Sequence, residues 1–276
     1  MILINPFKPK EVTWSIHASL CIHRTIDAQA MDSLIRLLCW PKPRVTFSRM
    51  AGDALIDRAR SQESTYFYKN TDQDVLLFVD DDIQYEPEDA IKLCKGAFEK
   101  QSIVVGAYVN KKEQNTWITS KLFPGQEVVF SPNSPLTEIM WGATGFMAIP
   151  RCVFMDLLTE SHKYQLHDPN HFPLCHPTDL AYYNFFKPCE WQHPNGDYLN
   201  LSEDWAFCEK ARRIGYKIYL DPSIRLGHAG RYVYTLDDLH REPRKDDLTI
   251  RYRDKEEDTS KDVGEKILGE ATLISA

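Results

Sequence analysis

The stretch DVLLFVDDDIQYEP, residues 74–87, carries a run of apolar residues, Val75 to Val79, straight into three consecutive aspartates, Asp80, Asp81 and Asp82. An unbroken apolar run of this length reads as a strand buried on both faces, the kind found inside a parallel sheet. Adjacent carboxylates repel one another unless a cation stands among them. Ligands of an open parallel sheet gather at the carboxyl ends of its strands, and these acids sit at such an end. Alternation predicts Asp80 and Asp82 on one side of the strand and Asp81 on the other. Two carboxylates on one side suit a hard divalent ion, Mg²⁺ or Mn²⁺, whose remaining ligands are phosphate and water. The bland alternative is an exposed acidic turn.

The flanking segments alternate in type. EVTWSIHASLCIH (11–23) reads as a strand, and DAQAMDSLIRLLCW (27–40) as a helix stopped by Pro41 and Pro43. RVTFSRM (44–50) is a second strand and GDALIDRARSQES (52–64) a helix after it. EPEDAIKLCKGAFEK (86–100) is a helix with Pro87 and acids in its first turn, followed by the strand SIVVGAYV (102–109). This alternation predicts an α/β domain with a mostly parallel sheet. Beyond it, QEVVFS (126–131) and LTEIMWGATGFMAIP (136–150) read as strands and RCVFMDLL (151–158) as a helix. Residues 160–200 read as a long loop region, then come a helix over 203–214 and short strands as far as RLGHAGRYVY (225–234). From about 241 the chain is strongly charged and reads as a solvated tail or peripheral helix. The expected organisation is an extension at 1–10, a domain over 11–240 with halves 11–109 and 110–240, and a tail at 241–276.

A 276-residue chain with 43% hydrophobic and 12% aromatic residues supports a real core, which excludes wholesale disorder. Its net charge of -7 argues against nucleic acid as the main partner. The start MILINPFKPKE lacks a secretory signature, and no apolar window reaches the length of a membrane span. The seven cysteines are scattered and form no Cys-x-x-Cys pair, as expected of reduced thiols. The expected location is therefore cytoplasmic, in the host cytoplasm if the source is viral.

LSEDWAFCEKARRIGYKIYLDP (201–222) holds a second group of acids. Ser202 is a natural N-cap, Glu203 and Asp204 fill the first turn, and Gly215 closes the helix. Both acids could simply complement the helix dipole. At about 100° per residue, however, Asp204 falls within the arc that holds Phe207, Cys208, Ala211 and Ile214, with Glu203 at its edge. A carboxylate facing the dry side is suited to take a proton from an attacking hydroxyl, because burial raises its pKa. His228, between Gly227 and Gly230, is a plausible further ligand for Mn²⁺.

VDDD (79–82), WGATGFMAIPR (141–151), SEDWAFCEKARRIGYKIYLDP (202–222) and GHAG (227–230), in this order, resemble the GT-A glycosyltransferases. The likeness is closest to the short, soluble family-2-like enzymes of bacteria, phages and large viruses, and covers residues 11 to about 235. The resemblance implies a GT-A (Rossmann-like) mostly parallel sheet flanked by helices, with an irregular acceptor-side second half. It implies a nucleotide-sugar donor, UDP- or GDP-linked, held with Mn²⁺ or Mg²⁺, and a glycan or other hydroxyl acceptor. Asp82 would be the main metal ligand, with Asp80 nearby, His228 completing the site and Asp81 near the ribose. Arg60 would face the nucleotide or its diphosphate, with Ser61 where these enzymes usually carry Asn. Ile22, Arg24 and Asp53 would lie near the base, and the Gly-x-Thr-Gly turn ending at Gly145 would border the donor sugar. Asp204 would be the catalytic base, with Glu203 beside it supporting the helix terminus, and IVVGAYVNKK (103–112) would wall the acceptor cleft. Direct displacement with inversion follows from these parts, with retention left open.

Other readings compete. A haloacid-dehalogenase-like phosphatase would carry Thr or Val where Gln84 stands. A nucleotidyltransferase making a nucleotide sugar would show a Gly-rich loop, and SLCIHRTID (19–27) contains no glycine. A catalytically inactive carbohydrate- or nucleotide-binding protein is a third reading, against which the retained Asp82, Asp204 and His228 count. His167, His171, Cys175, His176, Cys189 and His193 could form a structural zinc site, although their spacing fits no standard module.

Overall fold

The computed structural model describes residues 13–111, 117–160, 174–175, 181–193, 195–230, 232–239, 248–252 and 271–274. Its first part runs β1 (Ser15–Ile22), α1 (Ala28–Leu38), β2 (Arg44–Ala51), α2 (Ile56–Asn70), β3 (Val75–Asp80), β4 (Ile83–Gln84), α3 (Pro87–Lys100) and β5 (Ile103–Gly106). There follow β6 (Glu127–Phe130), β7 (Thr137–Ile139), β8 (Phe146–Pro150), α4 (Arg151–Glu160), β9 (Leu174–Cys175), β10 (Tyr182–Tyr183), β11 (Cys189–Gln192) and β12 (Tyr198–Leu201). The last are α5 (Glu203–Arg213), β13 (Ile218–Asp221), β14 (Gly227–Ala229), β15 (Val233–Tyr234), β16 (Leu248–Tyr252) and β17 (Ala271–Ile274).

The central sheet has seven strands in the order β2-β1-β3-β8-β5-β13-β7. Strands β2, β1, β3, β5 and β13 point one way, with β8 inserted antiparallel between β3 and β5 and β7 antiparallel at one edge. The expected α/β class with a mostly parallel sheet is therefore present. Strand β3 explains why. Val75, Leu77 and Val79 join a core with Leu37 of α1 and Ala90, Leu93, Cys94 and Ala97 of α3. Leu76 and Phe78 point to the opposite face, into a second core with Phe67 of α2, Phe154 of α4 and Phe207 of α5. A strand with apolar residues on both sides is stable only between two helical layers.

Local chemistry sets the helix ends. The Asp27 carboxylate caps α1 by accepting from Gln29 N–H at 2.9 Å and Ala30 N–H at 3.1 Å. Pro87 stands in the first turn of α3, and Gly215 ends α5 in the left-handed region at φ 98°. Ser202 differs from expectation, because its hydroxyl makes no cap to the helix backbone.

The second half is irregular, as expected, but less loop-like. Hairpins β9–β10 and β11–β12 lie within the segment read as a loop. Two further small sheets, β15-β14-β4 and β17-β16-β6, tie the later chain back to the earlier. β16 lies inside the stretch read as a charged tail. Its LTIRY pattern alternates apolar and polar residues, a strand signal that the surrounding charge obscured. Residues 1–10 and most of 160–180 lie outside the described residues. Cys21, Cys39, Cys94, Cys152 and Cys208 carry free thiols.

The turn at 142–145 packs tightly against β5. A Cβ on Gly142 would stand 2.5 Å from Val105 Cγ1 and 2.9 Å from Cγ2. Gly142→Ala therefore over-packs the core and lowers unfolding free energy by about 1–3 kcal/mol, measured by urea denaturation. An unchanged midpoint would mean that the turn and β5 do not meet so closely.

Candidate active site

Arg60 organises the site. It projects from the inward face of α2, is 5% exposed, and binds a carboxylate with each terminal nitrogen. Nη2 donates to Asp80 Oδ1 at 2.7 Å, and Nη1 forms an ion pair with Glu203 Oε1. Burial opposes the guanidinium's charge, but Asp80 and Glu203 outweigh it and hold the group charged. The end of β3 thereby meets the start of α5. Arg60 was expected to face a nucleotide or diphosphate. It lines the cleft, but its terminal nitrogens are held by protein carboxylates.

Asp80 is fixed from a second direction. Its N–H donates to the Gly145 carbonyl at 3.0 Å, and Gly145 N–H donates to Tyr108 Oη at 3.0 Å. A Cβ on Gly145 would stand 3.0 Å from Asp80 Oδ2 and 2.6 Å from Tyr108 Cζ, so this turn needs a residue without a side chain. Ser61, where the resembled enzymes carry Asn, is turned away from the cleft. Its Oγ accepts from Phe186 N–H at 3.0 Å and ties α2 to the second half.

Asp80 and Asp82 have different partners within the protein. β3 ends at Asp80, and the chain turns through Asp81 and Asp82 before β4, so strand periodicity no longer governs the direction of the side chains. Pairing of β14 with β4 sets His228 opposite Ile83, beside Asp82, and Ala229 N–H donates to the Asp82 carbonyl at 2.7 Å. Asp82 Oδ2 forms an ion pair with Lys111. Asp82 Oδ1 lies 3.4 Å from His228 Nε2 and is a buried oxygen without a hydrogen-bond partner. Burial raises the Asp82 carboxyl, but His228 and Lys111 together bring it below the usual carboxylate range. Asp81 is pushed up, first by burial and then by its two neighbours Asp82 and Asp80.

This pair fits a divalent ion. His228 Nδ1 lies 2.6 Å from the Val109 carbonyl and donates to it, so Nε2 is the ring nitrogen turned toward Asp82. A carbonyl behind the distal nitrogen is the usual support of a ligating histidine. Two ligands bound to one ion at about 2.1 Å stand roughly 3 Å apart at an octahedral corner, close to the spacing seen here. Among the described residues no three His, Cys, Asp or Glu side chains converge on one point. Asp82 and His228 would be the nearest pair of ligands, and Arg60 binds Oδ1 of Asp80.

Asp204 and Glu203 are separated in role by their partners. Burial is the main cause that raises both carboxyls, and Arg60 opposes the rise at Glu203 as its ion-pair partner. At Asp204, burial is opposed first by the Ser202 hydroxyl, which donates to Oδ1, and then by Arg60. Trp205 N–H also donates to Asp204 Oδ1, at 2.8 Å. The serine expected to cap the helix backbone is bound to the acid two residues on.

The cleft has a volume of about 240 Å³ and is lined by Ile22, His23, Asp53, Ile56, Arg60 and the three aspartates, among others. Ile22 ends β1 at its floor, and Asp53 is held by Arg58 through two bonds of 2.7 Å and by Leu55 N–H at 3.0 Å. Arg24 is exposed on the loop after β1 and is not part of the lining. Lys111 and Tyr108 also touch the site, and both lie on IVVGAYVNKK, the stretch expected to wall the acceptor cleft. Of the residues proposed for zinc, His167, His171 and His176 lie outside the described residues, and His193 packs on Trp191 with ring centroids 5.4 Å apart.

No protein-family model and no curated protein matches the chain. Among solved structures, A197 from STIV aligns with TM-score 0.48 at 14% identity, covering 84% of this chain and 98% of that one. A 1–349 fragment of S. aureus TarS in complex with UDP-GlcNAc aligns with TM-score 0.41 at 12% identity, over 75% of this chain and 56% of the fragment. A 4-diphosphocytidyl-2C-methyl-D-erythritol synthase from Anaerococcus prevotii aligns with TM-score 0.29 at 11% identity, over 60% of this chain and 80% of that one. The chemistry of the site therefore rests on this chain's own residues. No helix among the described residues is long and apolar enough to cross a membrane.

Stability responds to these two buried groups in opposite ways. Arg60→Met leaves Asp80 and Glu203 without their buried counter-charge and costs about 3–5 kcal/mol in a denaturant titration. Asp204 behaves in the opposite sense. Its folded-state pKa lies above the unfolded 3.8, so its unfavourable contribution is absent below that value and complete above the folded-state pKa. Asp204→Asn therefore melts higher than wild type at pH 7, and the gap closes as the pH falls toward 3.8. A variant that melts lower at pH 7 would contradict the burial of this charge.

Proposed function

We propose that this protein is a metal-dependent glycosyltransferase that moves a sugar from a UDP- or GDP-sugar to a hydroxyl of a glycan or another acceptor, with inversion. One observation carries the reading: the unpartnered Asp82 Oδ1 faces His228 Nε2 beside a cleft lined by Asp80, Asp81 and Arg60. A carboxylate and an imidazole so arranged call for a cation, and Mn²⁺ or Mg²⁺ held by few protein ligands takes its remaining ones from phosphate. When bound, that ion supplies charge neutralisation to a diphosphate leaving group.

The chain's own residues supply the rest. Ile22, Asp53 and Ile56 offer the cleft wall on which a base can rest. Arg60 occupies Glu203 as its ion-pair partner, which leaves Asp204 as the acid free to accept a proton. Burial lifts the Asp204 carboxyl from its solution value, making it a stronger base toward an acceptor hydroxyl. Ser202 and Trp205 fix Oδ1 through hydrogen bonds, so the second oxygen is the one that takes the proton. The hydroxyl oxygen attacks the anomeric carbon as its proton passes to Asp204, and the bond to the diphosphate oxygen breaks.

Asp204→Asn keeps shape and hydrogen bonding but cannot take the proton, so kcat falls on the order of a hundredfold or more while UDP or GDP binding survives. Glu203→Gln loses mainly folding stability, through its pairing with Arg60. Turnover with UDP- and GDP-sugars, together with calorimetric nucleotide affinity, checks both variants, and a fully active Asp204→Asn removes the inverting mechanism. Asp82→Ala abolishes Mn²⁺-dependent binding of UDP and GDP in a folded protein; unchanged affinity removes the metal assignment.

A further inference from the structure

Lys111 lies outside the motif residues and has no part in the steps above, yet it touches the centre of the site. Its ammonium is paired with Asp82 Oδ2, and the side chains of Lys111 and Asp82 are 34% and 27% exposed. The approach of Lys111 is built by its surroundings. Its stem runs beside Gly230, where a Cβ would stand 3.2 Å from Lys111 Cδ. Its backbone is anchored by the Val109–Ile118 bridge, by Asn110 N–H to the Trp117 carbonyl at 3.1 Å, and by Trp117 N–H to Asn110 Oδ1 at 3.0 Å. Two residues earlier, the Val109 carbonyl holds His228 Nδ1. One short stretch of chain therefore positions the histidine and neutralises the aspartate opposite it.

An ammonium and a divalent ion on the same carboxylate repel each other strongly at such range. Asp82 has one orphaned oxygen toward His228 and one toward Lys111, so arrival of a divalent ion weakens the hold of the lysine. An ammonium displaced in this way, on its flexible stem, would stand beside a diphosphate held by that ion. A compact cation with rotatable donors suits phosphate oxygens.

We propose that Lys111 is a handover cation: it neutralises Asp82 in the ion-free protein, yields Asp82 to the divalent ion, and then binds the diphosphate of the donor. This rests on the metal-dependent reading of the same site, and the experiment separates the two. Full-length wild type, Lys111→Met, Lys111→Arg and Asp82→Ala are titrated calorimetrically with Mn²⁺ alone, and then with UDP and GDP at saturating Mn²⁺. Lys111→Met binds Mn²⁺ about tenfold more tightly than wild type and the nucleoside diphosphate about tenfold more weakly, the loss of one charge-assisted contact. Lys111→Arg keeps the charge and stays near wild type in both. A purely structural lysine would weaken both affinities or neither. Mn²⁺ affinity that is unchanged or weaker in Lys111→Met overturns the handover alone, provided that Asp82→Ala has lost the ion. Diphosphate affinity that is unchanged or tighter in Lys111→Met overturns it equally. Mn²⁺ binding that persists in Asp82→Ala, or is missing from both wild type and Lys111→Met, overturns the handover and the metal reading together.

Discussion

A buried guanidinium is the constraint on which this structure turns. Arg60 lies under the sheet ends with almost no access to water, and a charge so placed is tolerated only with counter-charge beside it. Asp80 from the end of β3 and Glu203 from the start of α5 provide it. These residues are far apart in sequence, so satisfying one cation draws the two halves of the domain into contact. Ser61, the next residue along α2, binds Phe186 N–H and reinforces the same junction.

The electrostatic consequence is a division of labour among acids that look alike in one dimension. Asp80 and Glu203 are committed to Arg60. Asp82, beyond the end of the strand, is left to Lys111 and His228, with one oxygen unpartnered. Asp204 keeps a raised pKa because burial outweighs the Ser202 hydroxyl and the Arg60 charge that oppose it. Perturbed carboxyls in a cleft are the usual mark of chemistry. The same burial costs stability.

The fold was legible in the sequence wherever hydrophobic pattern was strong. β3, α1, α3, α5 and the βα alternation follow from apolar runs, caps and terminators, and the structure has them within a residue or two. The strip of chain from 126 to 150 was legible as strands, but not in its pairing. Nothing local indicates that β8 inserts antiparallel between β3 and β5. The strand LTIRY was obscured by the charge around it. In the candidate site, Asp82, Asp204 and His228 stand out by residue type and motif, whereas Lys111 and Tyr108 follow an ordinary apolar strand and carry no local signal.

The sequence by itself determined the α/β class, the placing of the three aspartates at a strand end and the burial of Asp204. These depend on the order of neighbouring residues, which side-chain periodicity converts directly into a face. Only the tertiary structure decided which acid has which partner. A turn follows Asp80, and the β4–β14 pairing brings His228 to Asp82 across more than half the chain. Arg60 chooses Glu203 over Asp204 by side-chain reach within a packed core. Charge partners are set by distance through space in a low-dielectric interior, and distance through space is what a linear sequence does not encode locally.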